Sequence, residues 1–430
     1  MSGPVPPSRP SRPSWPSRLA GLRPLFELAL AHAATFAFPL VFAVVCGRHL
    51  GIEGYGEIAF YTALGGFLGV IVEFGFDWLG IREVAQNAGD AEHCRQTLLH
   101  VTTARLLLAL AIGAAMSAAL WAWKGASHAP LIVGTWAYLV GFAFDVSWFL
   151  RALERTRLLL AITVVARAAG IALLVGGVTG PDDEALAMWI YAFVVSATSA
   201  LAWLSLWRLR LLAGPLAIGR VRLAGLMRRA FAILLGNLNG AMLGHGGVAL
   251  LGLISEPATV GAASLALRVK MAALAVLLPI QQWSFVRLSR HARDAPALMR
   301  RDGRRTLAAL LVLGSLLALA AAAAATRISE LVFHAAEPAA VALIALLALT
   351  IPVHAAANLF GVQSLVALGR ERSFAAILTA ASVLFCTLLL GVLHGPLAYG
   401  WALLAAESLI VFACGLVVRR ALRARAEAAR

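Results

Sequence analysis

The sequence predicts an all-α integral membrane protein with twelve transmembrane helices in two parallel six-helix bundles and both termini in the cytoplasm. Three observations predict it. First, 61% of the 430 residues are hydrophobic, only 13% are charged, and the mean hydropathy is +0.85. That is more apolar side chain than a water-facing fold of this length can hide, so lipid must be much of the solvent. Second, the apolar residues fall into twelve runs, each near the roughly 20 residues a helix needs to cross about 30 Å of hydrocarbon. The runs are rich in Ala, Leu, Val and Gly without strand-like alternation, which favours helices over a barrel. Third, the positive charge is distributed asymmetrically between the connections.

In chain order, residues 1–24 form a Pro-, Ser- and Arg-rich tail that is expected to be disordered and cytoplasmic, with no short apolar core and cleavage site to mark a signal peptide. Residues 25–206 are the first bundle, with spans at 25–46, 57–77, 98–120, 130–150, 158–178 and 186–206, each good to about three residues. Residues 207–230 are a basic cytoplasmic linker. It holds Arg208, Arg210, Arg220, Arg222, Arg228 and Arg229 and is interrupted at Gly214-Pro215, and part of it is expected to lie on the membrane surface. Residues 231–418 are the second bundle, with spans at 231–254, 260–286, 306–326, 339–361, 373–393 and 396–418. Residues 419–430 are a basic cytoplasmic tail.

Orientation follows from arginine and lysine. With the N terminus inside, 29 of the 36 basic residues fall in inside segments and three in outside loops, Arg48, Lys124 and Arg327. Positive residues favour the cytoplasmic side, so the split sets the topology. Six spans per half make the second half enter the membrane from the same side as the first, which predicts parallel repeats about an axis along the membrane normal. The turns Leu50–Leu64 (LGIEGYGEIAFYTAL) and Ile254–Arg268 (ISEPATVGAASLALR) echo one another in support: an acid, then a glycine, then a small-residue helix start.

Four basic residues lie within spans: Arg105, Arg167, Arg268 and Lys270. Each would cost roughly 2.5–3.5 kcal/mol on insertion scales if it faced lipid. At 1.5 Å per residue, Arg167 is near mid-membrane, Arg105 is about 10–12 Å deep and Arg268 is similarly deep from the outside face, too far for a side chain to snorkel out easily. One reading is a cationic cavity for an anionic substrate, built from Arg105, Arg167 and Arg268, because guanidinium groups match phosphate oxygens bidentately. The other is that each is neutralised by an acid, the candidates being Glu73, Asp77, Asp145 and Glu407. Arg268 and Lys270 point about 200° apart on a helix, which favours Arg268 for the cavity and Lys270 for a partner. Glu73 and Asp77, four apart, are candidates either to bind a coupling cation or to pair with loop arginines. The seventh span, GNLNGAMLGHGG, offers Asn237, Asn239 and His245 among glycines, as a bend at a binding site or as ordinary interhelical hydrogen bonding. His245 is also a candidate proton carrier. The tryptophans, Trp148 and Trp207 among them, mostly fall near span ends, as interfacial anchors do.

The composition and motifs exclude other classes. The net charge of +15 is spread between apolar runs, not gathered on one soluble face, so nucleic acid is not expected. The four cysteines form no CxxC pair, and neither a disulfide framework nor a metal site is expected. No GxSxG, Walker A or HExxH motif occurs, and no outside loop is long enough to hold a sugar-processing site, so an enzyme is not expected.

Several segments carry a family resemblance: GRHLGIEGYGEIAFYTAL (Gly47–Leu64), EFGFDWLGIREVAQNAGD (Glu73–Asp90), SWFLRALERTRLLLAITVVARAAGIALL (Ser147–Leu174), FGVQSLVALGRERSF (Phe360–Phe374) and the surroundings of Glu407. In this order on twelve spans they resemble the O-antigen, teichuronic acid and capsule flippases, which belong to the multidrug/oligosaccharidyl-lipid/polysaccharide exporter superfamily. The resemblance implies a transporter of the bacterial inner membrane that moves a polyprenyl-pyrophosphate-linked oligosaccharide from the cytoplasmic to the outer leaflet by alternating access. It implies membrane lipids and polysaccharide assembly proteins as partners, no cofactor, and coupling to an H+ or Na+ gradient or to the membrane potential. Arg105 and Arg167 fall where the family pattern often has a basic residue. Where its seventh helix often carries an acid, this chain has His245-Gly246-Gly247. The alternatives are a cation-coupled drug or metabolite exporter of the same superfamily and, further off, a membrane polymerase or glycosyltransferase.

Overall fold

The computed structural model describes residues 23–209, Leu211 and 220–428. The expected tail at 1–24 therefore lies mostly outside the described residues, as do Arg210 and Gly214-Pro215 of the expected linker. Every regular element among the described residues is helical, and ten helices are long and apolar enough to cross a membrane.

Helix α1 (Arg23–Glu73) is two arms joined at Gly51, whose φ of 73° and ψ of −177° break the helical path. A side chain would be strained in that conformation, so glycine lets the chain turn within a single residue. The arms match the first two expected spans, with a one-residue break where a longer loop was expected. Helix α2 (Phe76–Gln86) follows a second break, where Phe74 and Gly75 both have positive φ. Helix α3 (Ala91–Lys124) starts seven residues before the expected span because the Asp90 carboxylate accepts from the His93 N–H at 2.9 Å, an N-cap. Cys94, expected in a loop, is buried on this helix. Then come α4 (Ala129–Ala143), α5 (Ser147–Ala152), α6 (Thr156–Gly177) and α7 (Glu184–Arg208).

The second half opens with α8 (Arg220–Ala241), a π-helical segment Met242–Gly246 and α9 (Gly247–Ile254). The described part of the expected linker is thus continuous helix from Arg220. The π turn falls inside GNLNGAMLGHGG, where the sequence allowed a bend. Helices α10 (Pro257–Asp294), α11 (Pro296–Ala323), the short α12 (Ala325–Phe333), α13 (Pro338–Asn358), α14 (Glu371–Thr387) and α15 (Ala398–Ala428) complete the chain. Helix α12 was not expected; it folds a stretch read as loop. A further π segment, Leu359–Leu365, follows α13.

Within the first half α1 packs on α4 and α6, α3 on α4, and α7 on α4 and α6. Within the second, α10, α11 and α13 pack on one another and α15 on α13 and α14. The apolar stretch of α1 is 67% buried, against 22% in α3, α6, α11 and α14. Helix α1 is therefore central, and the other four turn side chains such as Leu107, Val165, Leu319 and Val383 outward, as lipid-facing helices do.

The halves meet chiefly along α1 and α10. A Cβ on Gly56 would overlap the Pro257 carbonyl, and one on Gly261 would press on the Ile52 carbonyl at 2.6 Å. The two contacts are reciprocal: Ile52 and Pro257 stand 205 residues apart, and so do Gly56 and Gly261. Only glycine lets two helices approach so closely. The seam continues through a Tyr55–Ser264 hydroxyl bond of 3.1 Å and the Arg48 guanidinium, which donates to the Leu331 carbonyl at 2.7 Å. At the opposite, arginine-rich end, a second apolar cluster gathers Phe76 and Val84 of α2, Leu98 of α3, and Trp148 and Phe149 of α5. Trp148 is not an interfacial anchor. Its indole is fully buried against Gly80, where a Cβ would sit 2.5 Å from the ring.

Candidate functional site

Arg268 stands eleven residues into α10, roughly 16 Å along its axis at 1.5 Å per residue. Its Nη1 donates to the Pro39 carbonyl at 2.6 Å, and its guanidinium carbon lies 5.7 Å from the centre of the Phe42 ring. Tyr55, Tyr191 and Cys46 lie within electrostatic range. Among the described residues, no carboxylate is ion-paired with Arg268. Helix α10 of the second half thus presents a guanidinium to α1 and α7 of the first. Beneath it is an aromatic cluster: the Tyr191 ring centre is 5.1 Å from that of Phe42, 5.8 Å from Phe38 and 5.6 Å from Tyr138. Arg167 of α6, half-buried, interacts electrostatically with the same Tyr191. The π turn brings His245 into the neighbourhood. Its ring abuts Gly66 of α1, and it too lies within electrostatic range of Arg268.

Arg105 is elsewhere. It is buried at the arginine-rich end and ion-paired to Asp77, and its Nη1 donates to the Asp145 carbonyl at 3.0 Å. Asp77 also takes Arg151 at 2.9 Å. Glu73 neighbours Asp77, Arg105, Asp145 and Arg151, while the Asp145 carboxylate accepts from Ser147 N–H at 3.0 Å and from its hydroxyl at 2.8 Å. This cluster fastens α2, α3 and α5 together. Of the two arrangements open to Arg105 in the sequence, the structure shows the paired one, and it does not bring Arg105 together with Arg167 and Arg268. Glu73 and Asp77 belong to this same network.

The third group lies within the second half. Lys270 is buried and pairs with Glu407 at 2.7 Å, and His354 Nδ1 lies 2.7 Å from the same carboxylate oxygen. The other oxygen, Oε2, has no hydrogen-bond partner among the described residues. The three residues border a cavity of about 150 Å³, to which Gly240, Gly244 and Asn358 also contribute. His354 was missed in the sequence, although a histidine two residues after Pro352 in the middle of an apolar run was a signal of the kind that picked out His245. Asn239 bonds Thr379 at 2.9 Å and its carbonyl accepts from Ser382 at 3.1 Å, so it ties α8 to α14. Asn237 is half-buried on the same helix. Asn358, Gln363 and Ser284 form a separate hydrogen-bonded chain between α13, its π segment and α10.

The all-helical, multi-pass fold with charges sequestered between its helices is that of an integral membrane protein, and the comparisons with known proteins place it in the flippase and exporter class. The match to the polysaccharide biosynthesis protein family over residues 22–290 places the chain in that family. Two bacterial proteins named "Putative O-antigen transporter" are similar. One, from Shigella dysenteriae, is 24% identical over 61% of this chain and 66% of its own length. The other, from Escherichia coli (strain K12), is 23% identical over 94% of this chain and 98% of its own. Among solved structures, an inward-facing multidrug resistance MATE family transporter of the MOP superfamily matches with a TM-score of 0.67 at 13% identity, covering 93% of this chain and 98% of the other. The lipid II flippase MurJ in an inward closed conformation matches with a TM-score of 0.64 at 12% identity, covering 94% and 87%. These show the fold. The chain is a multi-pass protein of the bacterial inner membrane.

Proposed function

We propose that this protein moves a polyprenyl-pyrophosphate-linked oligosaccharide from the cytoplasmic to the outer leaflet for cell-surface polysaccharide assembly, by alternating access. In this reading residues 25–206 and 231–418 are two six-helix bundles, making twelve spans. The segments 1–24, 207–230 and 419–430 are cytoplasmic. The reciprocal contacts of Gly56 and Gly261 support parallel repeats that close on one another at the outer end. Polysaccharide assembly proteins would receive the product.

The observation that carries the reading is Arg268. A guanidinium near mid-membrane is held by a backbone carbonyl and an aromatic face, with no ion-paired acid among the described residues. It keeps its charge at any physiological pH and offers a planar fork of donors to pyrophosphate oxygens. Arg167, across Tyr191, is the second cation of this site, and His245 borders it. Arg105 serves the architecture of the cytoplasmic end. The Lys270–Glu407–His354 group is the candidate for coupling to an H+ or Na+ gradient, and the membrane potential is the other source of drive. The test is a strain lacking the protein. The glycolipid is expected to accumulate on the cytoplasmic leaflet with no repeat units outside; single repeat units outside would instead indicate a polymerase. A second reading, a cation-coupled drug or metabolite exporter, is favoured by the unpartnered oxygen of Glu407. Raised drug susceptibility with normal surface glycan would support it.

A further inference from the structure

A cavity of about 400 Å³ lies between α11, the Leu359–Leu365 segment and α15, remote from Arg268. Four arginines stand around it: Arg300 and Arg304 on α11, and Arg419 and Arg423 on α15. All four are exposed, and none is ion-paired to a carboxylate among the described residues. The nearest acid on α11, Asp302, is engaged with Arg287 at 3.0 Å and His291 at 3.2 Å. Each pair is spaced i, i+4, so like charges are stacked on one face of a helix and repel one another. The arrangement therefore calls for an anion.

The rest of the cavity is apolar, with Leu307 and Phe360 among its walls, and Gly303 and Gly415 leave it roomy. Farther along α11 and α15, Val312, Leu319, Leu416 and Phe412 are exposed, so both helices face lipid beyond the arginines. A cationic mouth above an apolar groove, at the depth where apolar helix gives way to arginine, matches a lipid headgroup and its chain.

We propose that this groove binds one anionic phospholipid of the leaflet on the arginine-rich side. Its phosphate sits between the two arginine pairs, and an acyl chain lies along Leu307 and Phe360. Ordinary topology-setting arginines would need no cavity and would be interchangeable with their neighbours. Arg301 and Arg305 supply that control, since they lie on the same helix but do not line the groove.

The experiment uses the full-length chain purified in detergent, with phosphatidylglycerol, phosphatidylcholine or inorganic pyrophosphate added, read by native mass spectrometry and thermal stability. Phosphatidylglycerol is expected to remain bound and to raise the melting temperature, whereas phosphatidylcholine and pyrophosphate do neither. The variant R300Q/R304Q/R419Q/R423Q is expected to lose at least tenfold in retained lipid, and R301Q/R305Q to keep it. If the fourfold variant does not fold, R300Q/R304Q alone and the groove-filling Gly415→Leu are expected to show the same loss. Arg268→Ala should keep the lipid, which separates this site from the transport site. Equal retention of phosphatidylcholine would overturn the proposal, as would full protection by pyrophosphate alone or an equal loss in R301Q/R305Q. Displacement of phosphatidylglycerol by polyprenyl pyrophosphate would also overturn it, marking the groove as a substrate station.

Discussion

Arg105 and Arg268 are both deep arginines, yet they have opposite surroundings. Arg105 meets a carboxylate on a neighbouring element, and its cluster ties three helices together at one end of the molecule. Arg268 meets a carbonyl and a ring at the seam between the halves. Depth alone therefore does not assign a role to a buried charge; its partners do. Arg105 is neutralised by a carboxylate on a neighbouring helix, whereas the proposed role of Arg268 rests on its being held by a carbonyl dipole and a π face, with no ion-paired acid among the described residues.

The difference can be broken from either side, and the largest effect is expected at Arg268. Arg268→Ala should lower transport of lipid-linked oligosaccharide about 10- to 100-fold, the loss of one charge-assisted hydrogen-bonding group at roughly 1.5–3 kcal/mol. Surface glycan at equal expression measures it, and Arg268→Lys should recover part of the activity by restoring the charge without the fork. Unchanged glycan in Arg268→Ala would erase the distinction between the two arginines.

Asp77→Ala should act on stability instead. It removes the carboxylate ion-paired with buried Arg105, and breaking a buried pair typically costs about 3–5 kcal/mol. Thermal unfolding in detergent should show a marked fall in melting temperature, while the folded fraction still binds substrate. A variant as stable as the parent would mean that the pair contributes nothing to the architecture.

At the seam between the halves, Gly261→Val should prevent the approach of α10 to the Ile52 carbonyl. It should favour the conformation open at that seam, read as increased labelling of a cysteine introduced at position 259. Protection identical to that of the parent would show that the close glycine contact is not what seals the seam. Asn239→Ala should have the smallest effect, about 0.6 kcal/mol for one interhelical hydrogen bond in a membrane, with transport retained.

Much of this architecture was legible because hydropathy reports depth. The apolar runs gave helix positions, the Gly-rich seventh span foreshadowed its π turn, and the two glycine-bearing turns proved to touch one another. What depth does not report is azimuth. That Asp77 meets Arg105 and Arg151 depends on the break at Phe74–Gly75, which swings α2 under α3 and α5. The Pro39 carbonyl that holds Arg268 is a backbone group, and no residue type announces it. Helix α12 was overlooked because nine residues without spanning length read as a loop. The Lys270–Glu407 pair was legible as complementary charges in two spans, while His354, near the C-terminal end of α13, carried no such complement in its own span.

The most direct test is binding. Purified protein carrying Arg268→Ala, and separately Asp77→Asn, is reconstituted with polyprenyl-pyrophosphate-linked oligosaccharide, and the bound fraction per folded molecule is measured by native mass spectrometry. At least a tenfold loss of bound glycolipid is expected in Arg268→Ala and none in Asp77→Asn. Wild-type binding by Arg268→Ala, or an equal loss in both, would contradict the assignment of the mid-membrane guanidinium to the substrate.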